Sequence, residues 1–182
     1  MTGRLTDSKE LEIAVSVENP NDPWIYNFDN LAFQVQGRRL EFSPKQFSIE
    51  LLDKSISLSK KILEELPHTP MTACGVNFNF ICKEPQGMLL SLFNIADNGA
   101  ISDRKIRIGT SQISRLLNFD EHSLNLTLAL VEGGKVNLNF NYHKAVDSTE
   151  KAIQFLATGA SKFEQITHEL LNNIYQAQVE KI

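Results

Sequence analysis

The strongest constraint on this fold lies between Ser123 and His143, where the chain alternates apolar and polar residues twice around a pair of glycines. Leu124, Leu126, Leu128 and Leu130 alternate with Ser123, Asn125, Thr127 and Ala129. Beyond Glu132-Gly133-Gly134, Val136, Leu138, Phe140 and Tyr142 alternate with Asn137, Asn139, Asn141 and His143. A period of two sends successive side chains to opposite faces of a strand. Two such runs joined by a glycine turn make an antiparallel hairpin with one apolar side. Residues 72–83 repeat the pattern: Cys74, Val76, Phe78, Phe80 and Cys82 share one side, and Ala73, Gly75, Asn77, Asn79 and Ile81 the other. A sheet built from these segments has a greasy face that other elements must cover.

The covering elements are readable as helices. Asp53 is a candidate N-cap for a helix running to about Leu66, with Leu58, Ile62, Leu63 and Leu66 on one face and Pro67 stopping it. Pro85 opens a short helix whose apolar face is Met88 to Ile95, ended by Asp97-Asn98-Gly99. The last 35 or so residues are helical, with capping boxes at Asp147/Glu150 and Ser161/Glu164. Either two helices break at Thr158-Gly159, or one helix of about 45 Å runs from 148 to 178; the second box favours the break. Ile153, Leu156, Ala160, Phe163, Thr167, Leu170 and Ile174 keep heptad-like spacing across both pieces.

Further strands are expected at the front. Leu11, Ile13, Val15 and Val17 alternate with polar or small neighbours; Asn19 to Trp24 is a loop; Leu31, Phe33 and Val35 resume the alternation. Gln36-Gly37-Arg38-Arg39 is a hairpin connection, with strand again at Leu40 and Phe42 and at Phe47, Ile49 and Leu51. Ile106 and Ile108 point to one more strand, and Ser111 to Asn118 reads equally as strand or helical turn. Strands early and late, with helices between and after and no βαβ alternation, define an α+β chain. The expectation is one domain over residues 1–182: an antiparallel twisted sheet with helices packed on one face, residues 1–146 mainly sheet with two helices, and 147–182 a helical C-terminal region.

Composition narrows the function classes. At 182 residues, 42% hydrophobic and 22% charged, the chain has enough apolar material for a core without metal or disulfide staples. Its net charge of −4 disfavours a general phosphate-backbone binder. Eight residues of strand hold Cys74 and Cys82 about 26 Å apart, too far for a disulfide. Unpaired thiols, a polar N-terminal stretch and no apolar run of membrane-spanning length give a cytoplasmic expectation, with no membrane partner.

The segment Leu66-Pro67-His68-Thr69-Pro70-Met71-Thr72-Ala73-Cys74-Gly75-Val76-Asn77 resembles the "HTP" turn and "TA-x-G-x-N" strand of a loose set of uncharacterised bacterial proteins. The resemblance covers about a dozen residues and implies no activity, cofactor or site residue. Physically the segment is a helix-to-strand turn: prolines bracket it, the Thr69 hydroxyl can bond local backbone, and Gly75 permits close approach of a neighbour.

No motif for chemistry stands out. His68, His122, His143 and His168 lack zinc-ligand spacing, the cysteines lie on the apolar side of their strand, and Gly133-Gly134-Lys135 precedes a strand rather than a helix. No catalytic residue, metal or cofactor is therefore assigned. The least ordinary feature is asparagine. Asn77, Asn79, Asn125, Asn137, Asn139 and Asn141 all fall on the polar side of their strands, although asparagine is disfavoured in sheets. They supply many donors and acceptors without charge. The leading expectation is a non-enzymatic interaction or assembly subunit, binding a protein partner or itself through Asn77, Asn79, Asn137, Asn139 and Asn141, or through Phe163, Leu170 and Ile174. The alternatives are nucleic-acid or nucleotide binding through Arg38, Arg39, Arg104, Lys105 and Arg107, and an enzyme whose site assembles only in space.

Overall fold

The computed structural model describes residues 11–14 and 22–181. The chain is α+β, its strands forming two antiparallel sheets. By internal contacts it divides into two compact units, residues 1–72 with 146–161, and residues 73–145 with 162–182.

The first unit carries a four-stranded sheet in chain order, β1 (Glu12–Ala14), β2 (Ile25–Phe28), β3 (Leu31–Gln36) and β4 (Arg39–Pro44). Val15 and Val17, expected to extend the first strand, lie outside the described residues. One row of this sheet places Ile13, Tyr26, Phe33 and Phe42 side by side. Ring centroids stand 5.8 Å apart between Tyr26 and Phe33 and 4.8 Å apart between Phe33 and Phe42, within the range of favourable aromatic pairs. Strand β2 was not foreseen, because its four residues sit against a proline-rich loop that masks so short an alternation.

Phe47, Ile49 and Leu51 are not a strand. Helix α1 runs Ile49–Glu65, and Ser48 caps it by accepting a hydrogen bond from the Leu51 amide at 3.4 Å. Ile49 and Leu51 suit the first turn of a helix as well as a strand when a serine cap precedes them, and Phe47 lies before that cap. Asp53, expected to cap this helix, lies within it. Its carboxylate instead accepts a hydrogen bond from the Ala160 amide at 3.0 Å. The HTP turn follows: the Thr69 amide donates to Leu66 O, and Pro67 O and Thr72 O accept from the Thr149 hydroxyl and the Val146 amide at 3.0 and 3.1 Å. These bonds tie the turn to the start of helix α2 (Thr149–Leu156), whose N-terminus is capped by Ser148 rather than Asp147. Helix α2 sends Ala152, Phe155 and Leu156 inward and lies against α1. It ends at Gly159, φ +81°, a conformation only glycine adopts without strain. The C-terminal region is therefore two helices, and helix α3 (Ala160–Glu169) takes its first-turn partner from Asp53.

The second unit is built on a five-stranded antiparallel sheet. Its strands are β5 (Ala73–Cys82), β6 (Thr110–Asn118), β7 (Ser123–Val131), β8 (Val136–Ala145) and the two-residue β9 (Glu180–Lys181), in spatial order β6-β7-β8-β5-β9. Val76, Phe78, Phe80, Leu124, Leu126, Leu128, Val136, Leu138, Phe140 and Tyr142 are buried, as the alternation requires. Residues 162–169 of α3 cover this face, Phe163 standing 4.9 Å from the Tyr142 ring. Thr167 is fully buried. Its hydroxyl donates to Phe163 O at 2.9 Å and therefore accepts from the Tyr142 hydroxyl at 2.8 Å. The helix continues as a π-helical segment, Leu170–Tyr175.

The ambiguous stretch from Ser111 is β6, whereas Ile106 and Ile108 lie in the irregular segment before it. The expected helix after Pro85 is a five-residue turn, Gly87–Ser91, and Asp97-Asn98-Gly99 opens a second short helix (Asn98–Asp103) instead of ending the first.

If Asp53 caps α3 across the chain, Asp53→Ala should destabilise the protein by about 1 kcal/mol and Asp53→Asn by less; chemical denaturation of the three proteins measures this.

Candidate functional site

Opposite the covered face of the five-stranded sheet lies a face with a defined pattern. Pairing places Asn77, Asn141, Asn125 and Leu116 in one row across β5, β8, β7 and β6, and Asn79, Asn139, Thr127 and Ser114 in the next. Gly75, His143, Ser123 and Asn118 form the row on one side, and Ile81, Asn137, Ala129 and Gln112 the row on the other. None of these sixteen positions carries Asp, Glu, Lys or Arg. All are exposed or half-buried, and they alternate along β5, β7 and β8 with the buried side chains of the core.

The polar groups are partly organised among themselves. Asn139 Nδ2 donates to Asn79 Oδ1 at 2.6 Å, Ser123 Oγ to Asn118 Oδ1 at 3.0 Å, and Gln112 Nε2 to Ser114 Oγ at 3.3 Å. Asn125 Nδ2 stands 3.4 Å from His143 Nδ1. An amide carries two donors and two acceptor lone pairs, so each pair leaves capacity directed at whatever faces the sheet. Gly75 fixes the approach of β5 to β8: a Cβ there would meet the Tyr142 carbonyl oxygen at 2.8 Å.

The structure brings Asn77, Asn79, Asn137, Asn139 and Asn141 onto one surface. It separates the three helix positions grouped with them. Phe163 is fully buried against Tyr142 and His122, which removes it from any partner surface. Leu170 is half-buried, and Ile174 alone is exposed. The heptad-like stripe is largely the inward side of these helices. Gln112, Ser114 and Asn118 belong to the amide face but went unassigned, because Arg115 interrupts the inward row of β6 and blurs its period.

The basic residues do not form one cluster on one element. Arg38 and Arg39 lie at the β3–β4 turn, where Arg39 pairs with Glu41 at 2.9 Å. Arg104, Lys105 and Arg107 follow the short helix of the second unit, with Arg104 spent on the Ala100 carbonyl at 2.8 Å. Among the described residues no group of three or more His, Cys, Asp or Glu comes together as a metal site. Burial pushes the Cys74 thiol up to about 11 and raises Cys82 also, so neither is poised as a thiolate. No helix among the described residues is long and apolar enough to cross a membrane.

No family model, curated protein or solved structure matches the chain.

His122 supplies a pH dependence. It stacks on Phe119 with centroids 4.7 Å apart and meets the Phe163 ring edge-on at 5.4 Å. Burial lowers its pKa, opposed by Glu121 and assisted by Lys144 and His143. The unfolded chain therefore takes up this proton first, at about pH 6.5. The stability that neutral His122 contributes is complete above that pH and disappears as pH falls through the lower folded-state value. Melting temperature should fall as pH is lowered below about 6.5, and His122→Phe should flatten that slope.

Proposed function

We propose that this protein is a non-enzymatic binding or assembly subunit that recognises a protein partner through the uncharged, amide-lined face of its five-stranded sheet. The supporting observation is the two-by-two block Asn77–Asn141 and Asn79–Asn139, continued by Asn125 and Asn137 on the same surface. Asparagine in a strand sacrifices stability relative to threonine, by amounts within a scale of about 1 kcal/mol. The fold does not need it there, since the core is complete on the other side. A surface of this kind matches partners rich in peptide groups and hydroxyls, because every amide presents both donor and acceptor. The absence of formal charge within the sixteen positions makes the expected binding only weakly sensitive to salt.

The test is a native pull-down with mass determination, comparing the wild-type chain with a variant in which Asn137, Asn139 and Asn141 are all changed to Thr. The variant should melt at or above the wild-type temperature and lose the captured partner. Equal capture by both proteins, or capture that vanishes only in moderate salt, defeats the reading.

A further inference from the structure

The four-stranded sheet of the first unit ends in a strand whose outer edge is, among the described residues, unpaired. Strands β3 and β4 are joined by the two-residue turn Gly37-Arg38, with Gln36 opposite Arg39. In such a hairpin the closing pair exchanges hydrogen bonds and bonded pairs then alternate. The Lys45 amide bonding Asn30 O at 2.9 Å falls in the same phase. Arg39, Glu41 and Ser43 therefore direct their backbone groups at β3, and Leu40 and Phe42 direct theirs outward. Pro44, next in that outward set, has no N–H, which ends the pairable edge.

We infer that two copies of this chain associate by pairing β4 with β4 of the second copy, antiparallel about a two-fold axis at Leu40. The outward groups restrict the pairing to a few registers, and charge chooses among them. With Leu40 opposite Leu40 of the second copy, Arg39 of each chain faces Glu41 of the other, twice. They sit in the non-hydrogen-bonded pairs, where side chains are closest. Sliding the register by two residues in total sets either Glu41 opposite Glu41 or Arg39 opposite Arg39. Centring the axis on Phe42 sets Arg39 opposite Lys45 and places Pro44 within the ladder. Among the registers that keep Pro44 out of the ladder, only this one joins opposite charges.

The apolar side agrees. Leu40 is 42% exposed and its cross-strand neighbour Val35 is 52% exposed. In the paired sheet each Leu40 covers the other, flanked by the two Val35 side chains, so a four-residue apolar cluster replaces two exposed edges. The contact is short, so the association should be weak and dependent on concentration. It does not depend on the amide face, which belongs to the other sheet, and the two readings fail separately.

Charge reversal tests the pairing. Sedimentation of the full chain over a wide concentration range should show monomer passing to dimer. Arg39→Glu and Glu41→Arg each set like charges opposite one another in the homodimer, and each should weaken self-association by about tenfold or more. Mixing these two variants should restore dimers, as heterodimers, because every facing pair is then opposite in sign. The double variant R39E/E41R should dimerise alone. Both sites are at the strand edge, and unchanged melting curves exclude a folding defect. A wild-type chain that stays monomeric at every concentration overturns the proposal. So does single-variant dimerisation equal to wild type, or a dimer abolished by Ser114→Pro on the β6 edge but indifferent to both charge reversals.

Discussion

The pairing of β5 with β8 is the contact on which the second unit depends. It runs unbroken from Ala73 opposite Ala145 to Cys82 opposite Val136, joining segments some sixty residues apart. Because the side-chain period is two, this one register decides both faces together. It brings Phe78 level with Phe140 and Phe80 level with Leu138 on the inside, and Asn77 level with Asn141 and Asn79 level with Asn139 on the outside. A slip of one residue would send the phenylalanines to solvent and the asparagines into the core. Gly75 lets the two strands approach where a Cβ would collide with the Tyr142 carbonyl. The core and the candidate recognition surface are thus two consequences of the same ladder.

The long alternating strands were legible because their pattern is local and repeats often enough to be unambiguous: ten residues in β5, nine in β7 and ten in β8. The break at Gly159 was legible too, from glycine and a polar cluster. What escaped depended on distant partners. Asp53 has the chemistry of a cap, but the helix it serves begins 107 residues later. Ser48 was overshadowed by the alternation of Phe47, Ile49 and Leu51, of which only Ile49 and Leu51 belong to the helix. Strand β6 was hidden by Arg115, a charge on the inward side of an edge strand, where it acts electrostatically on Tyr175. A guanidinium can sit there because its head reaches the rim while its stem covers apolar surface.

The asparagines were visible one by one, but their arrangement was not. Sequence puts them on the polar side of three strands; only the pairing of β5, β8 and β7 turns them into adjacent rows. The same three-dimensional information removes Phe163 from consideration, since heptad-like spacing describes a helix stripe without saying what lies under it. Here the sheet lies under it, with the Tyr142 ring against Phe163 and the buried Tyr142–Thr167 hydrogen bond beside it. Burial of that phenol pushes its pKa up to about 12, so it remains a donor at any physiological pH.

The bond from the Ala160 amide to Asp53 has a temporal side. During synthesis at about 5–20 residues per second, roughly 5–20 s separate the appearance of Asp53 from that of the amide it receives. Through that interval α1 holds an acceptor aimed at a helix that does not yet exist. The first unit is also assembled from two stretches of chain, with residues 73–145 made in between. Its completion therefore waits on the ribosome, and strands β5 to β8 of the second unit emerge before the first can close.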